Sequence, residues 1–135
     1  MMIMEDELFG KIAWDEDDPS SGIMTLRNGK TVRLSLDVDE TEEEAALNTL
    51  QLLIAGETQI RHKIAVSMMD RYKDWIDDDI TTPEELARRI TLTDVLLWEG
   101  GGQLYYEADD NLFTDHTICV FFDANGEIEE PELEG

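Results

Sequence analysis

Apolar residues along this chain keep two different periods, and the change between them divides it into three parts. In the first part the period is two. Residues 8–14 read as a short strand, and residues 23–27 and 31–36 flank Asn28-Gly29, the dipeptide that favours a tight hairpin turn. In the second of these runs Val32, Leu34 and Leu36 share one face, while Arg33 and Ser35 take the other.

From residue 41 the period becomes helical. Thr41 with Glu44 three positions later predicts a capping box. Ala46, Leu47, Leu50, Leu53 and Ile54 then recur at helical spacing, and Gly56 suits the stop. A second helix is expected over 57–77, with an apolar stripe of Ile60, Ile64, Ala65, Met68, Tyr72, Trp75 and Ile76. A short third one has Thr82 as N-cap, Pro83 in first position, Glu84 and Glu85 in the first turn, and Arg88 and Arg89 in the last.

Strand periodicity then returns. Residues 92–98 lead through Gly100-Gly101-Gly102, taken as a hairpin turn, to 104–106 and a turn at 109–111. Residues 117–122 are a β-rich apolar run expected to be a central strand, turning at 123–126 toward a weak edge segment around Ile128. Segregated elements of this kind predict an α+β fold: a mostly antiparallel sheet from N-terminal and C-terminal strands, with three central helices packed on one face. A single domain over 1–135 is expected, ending in an acidic, weakly ordered tail at 127–135.

Charge changes this picture most. Thirty-three Asp and Glu against ten Lys and Arg give a formal −23, where a small domain usually carries a magnitude of about 2–8. Such a field opposes unaided binding to nucleic acid and docking on anionic lipid. It favours a basic protein partner. Neither an apolar run of membrane-spanning length nor a basic, apolar leader is present in the sequence, and Cys119 stands alone, so a reducing cytoplasm is the expected compartment.

Candidate chemistry is sparse. His62 lies between Arg61 and Lys63, off the apolar stripe, and reads as solvated. His116 follows Asp115, but neighbours on a strand point to opposite faces, so supporting the turn at 112–114 is the better reading than base catalysis. Cys119 sits in an apolar strand within a negative field, which should raise its pKa and keep it inert. Neither acidic loop, 15–18 nor 123–127, has the spacing of a dedicated calcium site. No cofactor, no metal and no enzymatic activity are expected.

The acidic clusters differ in how well local structure accounts for them. Glu42, Glu43 and Glu44 suit a helix N-terminus. Asp77, Asp78 and Asp79 face the unfavourable negative pole of the second helix, and Asp15, Glu16, Asp17 and Asp18 show no local reason beyond solvation. Those seven positions are therefore the expected partner-binding residues.

The closing cadence 104–106, Asn111-Leu112-Phe113, His116 to Val120 and Gly126, with early Trp14 and the strand after Gly29, resembles a bacterial family of uncharacterised cytoplasmic proteins. Its members share an "LF..H.I.V...G" close; here Thr114-Asp115 replaces a common glycine before the histidine. Small acidic proteins of this kind are often immunity proteins, so the resemblance implies an inhibitor of a basic bacterial toxin. An acidic nucleic-acid mimic acting on a DNA-binding protein is the alternative, and a small enzyme using His116 the weakest reading.

Overall fold

The computed structural model describes residues 9–18, 20–26, 29–76, 79–109 and 112–134. Three strands come first: β1 (Phe9–Trp14), β2 (Ser21–Leu26) and β3 (Thr31–Asp37). Helices α1 (Glu43–Ala55), α2 (Glu57–Arg71) and α3 (Pro83–Arg88) follow. The chain ends with β4 (Ile90–Trp98), β5 (Gly101–Ala108), β6 (Leu112–Asp115), β7 (Thr117–Asp123) and β8 (Glu132–Glu134).

Seven strands form one sheet in the order β1-β2-β3-β4-β5-β7-β8. Among the described strands every pairing is antiparallel except β3 with β4, where Leu34 meets Val95 and Leu36 meets Leu97. Parallel neighbours need a long crossover, and all three helices lie in that connection. The fold is thus α+β with a mostly antiparallel sheet.

Alternation along the strands decides what is buried. Met24, Val32, Leu34, Val95, Leu97, Leu104, Tyr106, Ile118, Val120 and Phe122 join Leu50, Leu53, Ile64, Ala65, Met68 and Leu86 from the helices in one core. The expected helical stripe therefore holds at Ile60, Ile64, Ala65 and Met68. Among the described residues no helix is long and apolar enough to cross a membrane.

Several local expectations give way. Thr41 does not cap α1; it lies in a 3-10 turn over Glu40–Glu42, and no side chain caps the helix start. Four glutamates spread over residues 40–44 already favour the positive pole wherever the helix begins, so no one position fixes it. Gly56 does end α1, but at φ −103° rather than in a left-handed cap, and it is also the residue before α2. The second helix stops at Arg71, and Trp75 lies in a 3-10 turn with 42% of its surface exposed. Thr82, in contrast, caps α3 as expected by accepting from the Glu85 N–H at 3.2 Å.

The glycine run is only partly a turn. Gly100 (φ +85°) turns between β4 and β5, whereas Gly101 and Gly102 belong to β5. The tail is more structured than its charge suggests. Residues 132–134 pair with 117–119 as β8, Pro131 is buried, and Arg71 donates to its carbonyl. Leu133 N–H donates to the Tyr72 hydroxyl at 3.4 Å, so α2 holds the tail in place.

Candidate protein-docking surface

Residues that alternate with the buried ones form the other face of the sheet. Register places them in rows. One row runs Ile23, Arg33, Asp94, Tyr105, Cys119 and Glu132 across β2, β3, β4, β5, β7 and β8. The next runs Ser21, Ser35, Leu96, Gln103 and Phe121. A third has Asp37, Trp98, Gly101 and Asp123. Ile23 is 49% and Phe121 39% exposed, and the rings of Trp98 and Phe121 lie 6.2 Å apart.

A groove of about 450 Å³ opens on this face between Arg33, Thr93, Asp94, Tyr105, Glu107, Thr117 and Glu134. Arg33 lies along Asp94 in a fork, with Nε to Oδ2 at 2.9 Å and Nη2 to Oδ1 at 3.2 Å. That hydrogen bond, with the carboxylate's charge behind it, raises the Arg33 pKa further. Thr93 is the extra residue of a bulge in β4, and its hydroxyl donates to the Tyr105 carbonyl at 3.2 Å.

Beside the groove a polar chain covers the thiol. Tyr105 OH donates to Gln103 Oε1 at 3.1 Å, and Gln103 Nε2 donates to Cys119 Sγ at 3.1 Å. Burial first, and then Glu134, push the Cys119 thiol up to about 11. Cys119 is 2% exposed. Labelling by a thiol reagent at pH 8 should therefore be slow in the folded protein and immediate in denaturant. Rapid native labelling, followed by mass spectrometry, would contradict this account.

The acidic positions singled out from the sequence that the structure describes lie in two loops. Asp15 accepts from the Asp17 N–H at 2.8 Å. Asp18 accepts from the Ser20 N–H at 3.2 Å and from the Ser20 and Ser21 hydroxyls, which lowers its pKa. These two carboxylates build the β1–β2 loop, so the expectation that this cluster lacks a local reason is corrected. Glu16 and Asp17 are exposed there. Asp77 and Asp78 lie outside the described residues, and Asp79 is exposed in a turn.

Of the second cluster only Asp79 lies among the described residues. Ser20 accepts from Leu36 N–H, placing the loop near the ends of β3 and β4. Trp75 packs edge-on against His116, 5.2 Å between ring centres, beside the start of β7, and Asp79 follows four residues after it. The turn expected at 112–114 is instead strand β6, and His116 follows it with Nδ1 3.0 Å from the Phe113 carbonyl, which can only accept. The Asp115 side chain lies outside the described ones. Among the described residues no three His, Cys, Asp or Glu side chains gather closely enough to hold a metal ion.

Sequence reasoning passed over one buried cluster. Glu57, at the start of α2, accepts from the wholly buried Tyr106 hydroxyl at 2.9 Å, and Arg61 lies 3.5 Å from its other oxygen. Burial, and then the Glu57 charge, hold the Tyr106 pKa well above the usual phenol value. The signal was present as an i, i+4 Glu–Arg pair opening a helix, and as Tyr106 falling on the inward parity of β5.

Residues 6–133 match the family described as an uncharacterised protein conserved in bacteria (DUF2262). No curated protein and no solved structure matches the chain. The match covers nearly the whole sequence, and the chain belongs to this family.

Proposed function

From that membership as premise, we propose that the chain is an acidic cytoplasmic module that binds a basic protein, most concretely an immunity-type inhibitor of a basic bacterial toxin. One observation carries the reading. Residues 57–89, from α2 past α3, hold eight Asp and Glu against six Lys and Arg, so only −2 of the −23 arises there and −21 belongs to the rest. The charge is therefore concentrated outside α2 and α3, and most of its described carboxylates lie on the strands, their connections and the start of α1. In this reading the helices lie together over one face of the sheet, and the acidic opposite face meets the partner.

Inhibition would come from steric cover of the toxin's functional surface, with complementary charge speeding association. A nuclease is an attractive target, because a groove that binds phosphates is itself basic. The nucleic-acid mimic is the second reading. Exposed Ile23 and Phe121 favour the first, since apolar contact keeps its strength as salt rises.

The test is titration of the purified chain against the products of the genes flanking its own. A basic neighbour should lose its activity on binding, and the complex should survive about 0.15 M salt. Capture of many unrelated basic proteins, lost between low and moderate salt, would replace this reading with the mimic. Failure to bind any neighbouring product would sink both the toxin and the inhibitor role.

A further inference from the structure

We infer that the outer face of β4, β5 and β7 docks an arginine-bearing segment of the partner, seated in the groove beside Tyr105 and against Trp98 and Phe121. This rests on the reading that the partner is a basic protein, and it names where and by what chemistry that protein is held.

The groove already receives one guanidinium. Arg33 reaches it from β3 and engages Asp94 through two nitrogens. That fork is the geometry a carboxylate offers to arginine and cannot offer to lysine. Further along, Glu107 and Glu134 stand exposed at the end of the groove, on β5 and β8. The Tyr105 ring lines the same groove and gives a planar guanidinium a face to lie on.

On the other side of the Tyr105 row from this acidic end the surface becomes apolar. Leu96 and Trp98 are half-buried, Phe121 is exposed, and the two aromatic rings lean together. An aromatic centre beside charged positions is the anatomy of a protein interface rather than of an ordinary solvated sheet. Charge selects the occupant. Arg33 is the one cation in the three rows among the described residues, against Asp37, Asp94, Asp123 and Glu132 within them and Glu107 and Glu134 at the end of the groove. A second copy carrying −23 would be repelled, whereas a basic segment with an apolar neighbour satisfies both halves of the surface.

The experiment uses the full chain and a short peptide of alternating Arg and Leu, followed by fluorescence anisotropy at about 0.15 M salt. The double variant Glu107→Lys/Glu134→Lys should bind about tenfold more weakly, and replacing every Arg of the peptide by Lys should weaken it similarly. The variant Phe121→Ser should also lose affinity, while Glu16→Lys/Asp17→Lys in the β1–β2 loop should stay within about twofold of the parent. Amide shifts in an NMR titration should concentrate on β4, β5 and β7, which tests the site without any substitution.

Equal losses from the loop and the face, or shifts centred on the loop, would overturn this assignment and leave the basic-partner reading standing. Equal affinity for the Arg and Lys peptides would overturn the guanidinium chemistry. Absence of binding by the parent chain to the peptide and to every flanking gene product would remove the basic-partner reading itself.

Discussion

Replacing Arg61 by leucine should lower the stability of the protein by about 3 kcal/mol, because it strands a buried carboxylate. Glu57 is 4% exposed and enters the core at the first turn of α2, where the helix pole favours its charge. Tyr106 supplies one hydrogen bond from β5, and Arg61, one turn further along α2, supplies the countercharge. Removing that cation leaves the cost of burying the carboxylate in place while taking away part of what offsets it. The figure lies at the low end of the range for broken buried pairs because 21% of the Arg61 side chain remains in solvent.

Urea unfolding of Arg61→Leu, Glu57→Leu and the double variant measures the coupling. The double variant should be more stable than the sum of the two single losses implies, since a leucine at 57 has no charge to compensate. The Tyr106 hydroxyl then keeps a residual cost of about 1–3 kcal/mol. Simple additivity would show that the pair does not act as a unit.

The second large effect belongs to Gly102. A methyl group there would overlap the Leu96 carbonyl oxygen and press into the Phe122 ring, closer than real contacts allow. The clashing oxygen is backbone of the neighbouring strand β4, so relief requires β4 and β5 to part beside the turn that joins them. Gly102→Ala should therefore cost about 3 kcal/mol, the upper end for an overpacked core. Gly56→Ala makes the contrast. The nearest atom to an added methyl would be the Leu52 carbonyl oxygen at 3.4 Å, an ordinary contact, and the Gly56 φ of −103° is open to alanine. That substitution should be neutral or stabilising by up to about 1 kcal/mol. Denaturant midpoints for the two variants, compared at equal slope, decide the matter; a harmless Gly102→Ala would mean that the sheet yields there.

Much of the architecture is legible in the sequence. The β2–β3 pairing, expected from Asn28-Gly29 of which Asn28 lies outside the described residues, the inward set Val32, Leu34 and Leu36, and the Thr82 cap each rest on a rule that acts within a few residues. The failures share a cause as well. Thr41 lost its capping role because several acidic neighbours made alternative helix starts comparable. Residues 132–134 became a strand because β7 offered an unpaired edge and Arg71 and Tyr72 held the segment against it. Their own composition argued for solvent.

The candidate surface was less legible than the fold. Charge pointed to a basic partner but placed it on runs of adjacent aspartates, where it is easiest to see. In the structure Asp15 and Asp18 spend their oxygens on the loop that carries them. The carboxylates of the outer face, Asp94, Glu107, Glu132 and Glu134, are scattered through 41 positions of sequence and meet only across three strands.

The sequence by itself therefore determined the periodicities, the order of strands and helices, the size of the charge and the inward set of apolar residues, because each depends on spacing along one element. Tertiary structure alone decided that β3 and β4 lie parallel, that Glu57 faces Tyr106, that Arg33 forks onto Asp94, and that the acidic and aromatic residues share one face. Those relations join residues dozens of positions apart. They are fixed by which strands pair and in what register, and a one-residue slip of a strand would turn its side chains to the opposite face.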